Sequence, residues 1–368
     1  MNLEFSEDQK FVQQTARDYL AEQCPLDVCR AVLEGEETYS PDLWKGVAEM
    51  GWLGTAVPEE YGGAGLGHLE LALIGMELGR VLAPIPFSSS VYLATETIVR
   101  AGSEDQKKRL LPGLVSGDTI GTLALAEGPG DFDPRNAEAR FDGSTLTGTK
   151  VPVGDGSAAG LAVVVAAEDS GHSLVVVDLS ASGVARETVE SFDPSRPLAR
   201  IAFDAAPAER LGAAGDAAAI VRDVLDRAAV LLAYEQIGGA ERALDITREQ
   251  TMGRFAFGRP VASFQALKHR MADVYGKIQI ALSNGYWAAW ALENGEPELS
   301  QAAAATRVAA SDAFVLASEE MVQMHGGVGF TWEYDCHLFY RRAKSTAHAL
   351  GTPNEWREKL VQQIEATL

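Results

Sequence analysis

RFAFGRPVASFQ, from Arg254 to Gln265, and QMHGG, from Gln323 to Gly327, are the two stretches that decide how this chain is interpreted. Both place polar side chains beside glycines or a turn, inside sequence that is otherwise apolar and helical. Arg254 can form paired hydrogen bonds with a phosphate, the two glutamines offer amides, and Gly326 with Gly327 lets a backbone approach a ligand closely. This combination is typical of a site for a diphosphate and a ribose, although a Gly-Gly pair is also common at the end of a helix.

The character of the chain changes twice along its length. Helical periodicity from a capping-box pattern at Ser6 onwards predicts a helical domain over residues 1–117, whose last helix, 106–111, should end at Pro112. Short apolar or alternating runs separated by Gly, Asp, Ser and Pro, at 119–125, 139–141, 160–167, 173–179 and 198–203, predict a β domain over residues 118–214. Helical periodicity then persists over residues 215–368. The predicted fold is α+β, with a helical N-terminal domain, a middle β barrel or sandwich and a C-terminal four-helix bundle.

Composition excludes several classes of function. The 368 residues contain 31 basic and 52 acidic side chains, a formal net charge of -21, which disfavours binding to nucleic acid or to an anionic membrane. The most apolar run is too short to span a bilayer, and the acidic N-terminus does not look like an export signal. The three cysteines have neither metal-site spacing nor the even count of a disulfide framework. We therefore expect a cytoplasmic protein with reduced thiols and no metal.

The two opening stretches resemble the acyl-CoA dehydrogenase family when they are read in their longer context, RFAFGRPVASFQALKHRMADV and MVQMHGGVGFTWEYDCHLFYRRAK. MGWLGTAVPEEYGGAGLG and GSEDQKKRLLPGLVSGD in the N-terminal half are similar to two other stretches of the family, so the resemblance covers nearly the whole chain. It implies FAD as the cofactor. In the family, the matching residues reach across a subunit interface and hold the adenosine diphosphate part of a neighbour's FAD. Those residues here are Arg254, Phe257, Gln265, Gln323, Gly326 and Gly327.

The residues that carry the family's chemistry are mostly missing. The resemblance implies that a carboxylate removes the α-proton of an acyl-CoA while hydride leaves the β-carbon for the flavin. The usual base is a Glu before Gly-Thr, and Leu350 stands there. The alternative Glu-Arg of the long helix falls on Ala228 and Ala229. Asp226 is a weak candidate for a displaced base, against an exposed salt-bridge residue, and Glu235 is another, against a polar partner at a helix interface.

The flavin-ring motifs of the family are altered as well. In LALAEGPGDFD, Glu127 and Asp133 are kept, but Ala126 replaces a Thr and Phe132 a Ser. The family's Trp-Ile-Thr, which stacks on and bonds the ring, corresponds here to 152–154, Pro-Val-Gly. Proline cannot stack as tryptophan does and has no N–H to donate. Residues for a neighbour's FAD tail are therefore present, whereas those for this chain's own flavin ring and base are mostly absent.

This asymmetry leads to the first of three hypotheses. The chain pairs with a homologous catalytic subunit, as in the bacterial α2β2 acyl-CoA dehydrogenases that shorten sterol side chains, which GFTWEYDCHLFYRRAK and KVPVGDG resemble. The second hypothesis is a self-sufficient homotetrameric dehydrogenase with Asp226 or Glu235 as an unusual base, and the third is a non-enzymatic scaffold. The resemblance also implies an acyl-CoA substrate and electron-transferring flavoprotein as the acceptor.

Overall fold

The computed structural model describes residues 5–128, 132–169 and 171–367, and the chain divides into two compact units that interleave along the sequence. The helical unit comprises Met1–Arg30, His68–Ala83 and Ala229–Leu368, and the sheet unit comprises Ala31–Gly67 and Pro84–Ala228. Helices come first along the chain, then a sheet, then helices again. This order confirms the predicted α+β fold class, while the division into domains 1–117, 118–214 and 215–368 stays a prediction.

Regular elements cover most of the described ranges. The helices are α1 (Glu7–Gln23), α2 (Leu26–Glu34), α3 (Pro41–Glu49), α4 (His68–Arg80), α5 (Glu96–Ala101), α6 (Glu104–Val115), α7 (Ala217–Gly253), α8 (Gln265–Asn294), α9 (Leu299–His325), α10 (Cys336–His348) and α11 (Pro353–Thr367). The strands are β1 (Gly121–Ala124), β2 (Arg140–Phe141), β3 (Thr145–Gly154), β4 (Leu161–Glu168), β5 (Gly171–Asp178), β6 (Val184–Val189), β7 (Leu198–Pro207), β8 (Glu209–Leu211), β9 (Phe255–Ala256) and β10 (Arg259–Pro260).

The sheet unit is built around β4. Its eight-stranded sheet has the order β6-β7-β3-β2-β4-β5-β8, with β1 pairing in parallel with β4. The run LAVVVA of β4 is buried, as expected of a central strand covered on both faces. Two long strands, β3 and β6, were not predicted. β3 contains Gly148 and Pro152, which break its alternation, and β6 exposes most of its residues. The sequence pattern therefore does not predict strands that are stabilised mainly by pairing with their neighbours.

The prediction that Pro112 ends a short helix was wrong. α6 begins at a capping box on Ser103 and continues through Pro112 to Val115. The ring removes one hydrogen bond from the last turns. Leu111 and Leu114 are nevertheless buried in the core of the sheet unit, and the Ser116 amide donates to the Pro112 carbonyl at 2.9 Å. Burial of these leucines outweighs the lost bond.

The helical unit depends on a close approach of α4 and α7. A Cβ added at Gly79 would lie 1.9 Å from the Glu235 carbonyl oxygen, and one at Gly238 would lie 1.9 Å from the Met76 carbonyl oxygen. Each helix therefore needs a glycine where it meets the backbone of the other. α8, α10 and α11 all pack against α9, whose inner positions are mainly alanine.

Cys24, Cys29 and Cys336 are free and buried. No helix in the described ranges combines the length and the apolar character needed to cross a bilayer. The same ranges contain no group of three or more His, Cys, Asp or Glu side chains that could hold a metal ion.

Candidate functional site

A two-residue hairpin displays Phe257. β9 and β10 pair antiparallel, with Ala256 opposite Arg259, so Phe257 and Gly258 form the turn. Their φ angles are 54° and 76°, the pair of positive values of a type I′ turn, which normally favours Asn-Gly. A bulky residue is strained in this conformation. Phe257 is nevertheless 95% exposed, so the hairpin holds an aromatic ring away from its own core.

Arg254 lies immediately before this hairpin and is anchored at one point. Its Nη1 donates to the His325 carbonyl oxygen at 3.1 Å. A guanidinium has five N–H donors, and this is the one hydrogen bond that Arg254's side chain makes among the described residues. His325 is itself buried, with Nδ1 2.6 Å from the Met321 carbonyl oxygen, and burial lowers its pKa. A neutral imidazole therefore fixes the end of α9, while most of the Arg254 fork stays available.

Gly326 and Gly327 follow the end of α9, and their backbone is accessible to a ligand. α9 stops at His325, and Gly326 has φ +69°, with its absent Cβ 3.2 Å from Arg254 Nη1. Gly327 has no atom within 4 Å of the corresponding position. Both glycines are exposed, and so is Gln323 in the last turn of α9. A side chain at Gly326 would crowd the guanidinium, so the glycine keeps Arg254 in place.

Gln265 is the exposed first residue of α8. No side chain caps this helix, whose preceding residue is Phe264. Unpaired amides and the helix dipole make such a terminus favourable for an anion. Arg254 and Gly326 lie close together, and Phe257 lies in the hairpin that follows Arg254; we call these three residues the Arg254 cluster. The two glutamine amides lie at exposed helix ends.

Two sequence profiles match this chain. "Acyl-CoA dehydrogenase, N-terminal domain" covers residues 6–118, and "Acyl-CoA dehydrogenase, C-terminal domain" covers residues 215–364. The chain belongs to the acyl-CoA dehydrogenase family. Members of this family are oxidoreductases that act on CH–CH bonds with FAD as the cofactor, so the predicted enzyme class and cofactor are confirmed.

Individual relatives match over the full length. Acyl-CoA dehydrogenase IpdE2 of Mycobacterium tuberculosis is 34% identical over 361 residues, covering 97% of this chain and 98% of that protein. Among solved structures, a variant of the Tcur3481-Tcur3483 steroid ACAD is 31% identical with a TM-score of 0.89, covering 98% of both chains. The ChsE4-ChsE5 complex from Mycobacterium tuberculosis is 27% identical with a TM-score of 0.90, covering 99% of both.

Neither of the two positions at which the sequence leads us to expect the family's base carries a proton acceptor. Leu350 is buried, and its carbonyl oxygen accepts a hydrogen bond from Trp356 Nε1 at 3.0 Å. The following loop is held by a reciprocal pair: the Thr352 amide donates to Glu355 Oε2 at 2.5 Å, and the Glu355 amide to Thr352 Oγ1 at 3.2 Å. On α7, Ala228 and Ala229 are completely buried. The carboxylate that holds this loop is thus that of Glu355, and neither Leu350 nor Ala228 supplies one.

Asp226 and Glu235 are both buried on α7. The expectation that Asp226, if it is not a base, would be an exposed residue was wrong, because it is 5% exposed. α7 turns this face inward, and the neighbouring Arg227 bonds Asp223 at 3.1 Å and contacts Glu96 at 3.5 Å within the sheet unit. Glu235 is 6% exposed, and its charge acts on the buried Arg307. This supports its interpretation as a polar partner at a helix interface.

Arg307 is a residue that sequence reasoning missed. It is fully buried on α9 and donates to Gln236 Oε1, to Ser311 Oγ at 3.1 Å and to the Thr346 carbonyl oxygen. The network therefore joins α7, α9 and α10. One signal could have revealed it, namely a single arginine inside the small-residue run AAAATRVAAS.

The loop that corresponds to the flavin-ring site is closed on itself. Ala126 is buried, and its carbonyl oxygen accepts a hydrogen bond from the Val151 amide at 2.8 Å. Glu127 accepts from Lys150 Nζ at 2.6 Å and from the Ala139 amide at 3.0 Å. Burial opposes ionisation of Glu127, but these hydrogen bonds prevail and lower its pKa. The Glu127 carboxylate is therefore used in hydrogen bonds within the chain.

The remaining ring positions provide little for a flavin. Pro152 and Phe132 are half-buried, and Asp133 bonds Arg135, with its Oδ1 2.9 Å from Arg135 Nε. Residues 129–131 of the same stretch lie outside the described residues. The exposed donors at Arg254 and the helix ends thus fit the diphosphate part of FAD, whereas the loop around Ala126 does not fit its ring.

Proposed function

We propose that this chain is one subunit of a heteromeric FAD-dependent acyl-CoA dehydrogenase, in which it provides the adenosine diphosphate half-site to a homologous catalytic subunit. One observation carries the proposal: the Arg254 cluster is exposed and poised for a ligand, while both base positions hold buried aliphatic residues and the ring loop is internally bonded. A site divided in this way needs its other half from an unlike chain.

Each residue of the half-site has a physical task. The free donors of Arg254 and the N-terminus of α8 would neutralise the diphosphate, and Gly326 with Gly327 would let it approach the backbone. Gln265 and Gln323 would add amide hydrogen bonds, and Phe257 would contact the bound nucleotide with an already exposed ring. Bound FAD supplies the hydride acceptor of the family's reaction. The catalytic subunit would supply the proton acceptor, and the residues of this chain would bind and orient FAD.

The similarity to a steroid ACAD and to the ChsE4-ChsE5 complex supports a steroid side-chain CoA thioester as the substrate and an α2β2 assembly. Electron-transferring flavoprotein is the acceptor we propose, on the basis of the family. The three free thiols are consistent with work in the cytoplasm.

The test is the flavin content and native mass of the chain expressed alone and together with a homologous subunit that has intact ring and Glu motifs. We expect no bound flavin for the chain alone and about one FAD per pair of unlike chains in the complex, because each half-site is incomplete by itself. One FAD per chain in the isolated protein, with turnover of an acyl-CoA, would favour a self-sufficient enzyme. A complex without FAD would favour a scaffold.

The two buried carboxylates of α7 allow a second test. In the complex, Asp226→Asn and Glu235→Gln should each leave kcat within about threefold, because neither is the base in our proposal. Loss of a true base would cost on the order of 10³-fold or more at this step. Circular dichroism of each variant separates misfolding from lost chemistry. A large drop in kcat for a folded variant would identify that residue as the base of this chain.

A further inference from the structure

A second guanidinium, that of Arg259, lies in the same hairpin as Phe257. It is exposed, and its Cζ lies over the Phe264 ring, 4.0 Å from the ring centre. Within the described ranges the Arg259 side chain makes no hydrogen bond and no ion pair. Stacking occupies one face of the guanidinium and leaves its in-plane N–H donors free. Arg259 is therefore held in position without being neutralised.

The strand register places Arg254 and Arg259 on the same face of the hairpin. Ala256 lies opposite Arg259, and the Val261 amide donates to the Arg254 carbonyl oxygen at 2.8 Å, which continues the pairing to Arg254. Opposite residues of an antiparallel pair share a face, as do residues two apart along one strand. Arg254 and Arg259 are thus diagonal neighbours, which are typically about 7–8 Å apart and within reach of long side chains.

The sequence around the two arginines is locally basic. From Arg254 to Arg270 the chain contains four Lys or Arg side chains and no Asp or Glu, although its net charge is -21. Arg270 is paired with Glu320 of α9, whereas Arg254 and Arg259 have no carboxylate partner in the described part of the chain. Two unpaired cations on one small face repel each other. An anion bound between them would remove that cost.

We propose that Arg259 is a second phosphate-binding residue, and that Arg254 and Arg259 together select nucleotides with a diphosphate over those with a single phosphate. Arg254, held beside Gly326, binds one phosphate, and Arg259, held against the residue that precedes α8, binds the other. A monophosphate leaves one of the two guanidinium groups unpaired. This inference rests on the proposed FAD half-site and adds to it the residue that determines the class of nucleotide.

The experiment measures the binding of ADP and of AMP to the full chain, without a partner subunit, by calorimetry in magnesium-free buffer. Both phosphates contact residues of this chain, so the comparison does not need a flavin-ring site. We expect ADP to bind about tenfold more tightly than AMP, because it gains one further charge-assisted contact at an exposed site. Arg259→Ala should remove this preference, because a single guanidinium then remains for either nucleotide.

Two further variants separate phosphate binding from a general effect of charge. Arg248→Ala removes an exposed arginine from the last turns of α7, outside the hairpin, and should keep the full preference for ADP. Phe264→Leu keeps the charge of Arg259 but removes the ring that positions it, so the preference should fall to about threefold. Circular dichroism would verify that each variant is folded.

The possible outcomes distinguish this inference from the proposed function. Equal affinities for ADP and AMP, no saturable binding of ADP, or a preference that survives in folded Arg259→Ala protein would each overturn the inference. If the heteromeric complex nevertheless bound FAD, the proposed function would stand without it. A preference for ADP that Arg259→Ala removes would support the diphosphate pair even beside a complex without FAD, which would contradict the proposed function alone.

Discussion

Arg254→Ala is expected to lower the affinity of the heteromeric complex for FAD by about 100-fold, equivalent to about 2.7 kcal/mol, the usual value of charge-assisted hydrogen bonds to a phosphate. The guanidinium is exposed and held by a single bond to the His325 carbonyl oxygen, so its loss leaves little of the fold unsatisfied. Fluorescence titration of the deflavinated complex with FAD would measure the effect. Unchanged FAD affinity would show that the cluster does not hold the cofactor.

Three further variants sharpen this test. Arg248→Ala removes an exposed arginine from the last turns of α7, outside the cluster, and should have no effect. Arg254→Lys keeps the charge but not the paired donors, so an intermediate loss is expected. Gly327→Ala meets no atom within 4 Å and should leave the fold intact. A loss of FAD in Gly327→Ala would therefore report contact with the ligand.

Much of the fold could be predicted because periodicity reflects burial directly. The 3.6-residue repeats of α7, α8 and α9 are long and are set by their buried faces, so their existence follows from sequence. β3 and β6 escaped because their pairing, rather than their own pattern, makes them strands. α6 continues through Pro112 because the burial of Leu114 outweighs the backbone hydrogen bond that proline removes. Both failures occurred where tertiary contacts override local preference.

The residues of the candidate site stay a prediction from the sequence, whereas their structural setting could not be predicted. A strained aromatic turn at Phe257 cannot be inferred from a sequence that lacks the Asn-Gly signal. Asp226 was placed on the surface because a charged residue on a helix usually lies there, whereas α7 is enclosed at that point. Burial of charge depends on neighbours from distant sequence. Arg307 shows this most clearly, since all three of its acceptors lie on its own and two other helices.

Arg307→Ala should destabilise the protein by about 3–5 kcal/mol, the typical cost of breaking a buried charged network by removing one partner. Burial lowers the pKa of Arg307 to about 9, so the guanidinium remains charged near neutral pH and depends on its partners. Removing it would strip the Thr346 carbonyl oxygen of a donor and take away a cation on which the charge of Glu235 acts. Thermal unfolding of a chain of this length should show a fall in Tm of about 4–6 °C.

The double variant Arg307→Met with Glu235→Gln tests how much of the lost stability comes from the charge of Glu235 and how much from the lost hydrogen bonds of Arg307. Met fills much of the arginine's volume and Gln removes the charge of Glu235 that acts on Arg307, so we expect the Tm to recover most of the way to the wild-type value. Arg307 Nε already has no acceptor among the described residues, so the native network is not fully satisfied. Arg248→Ala serves as the control for losing an arginine and should change Tm little. If Arg307→Ala alone were as stable as the wild type, this network would not hold α7, α9 and α10 together.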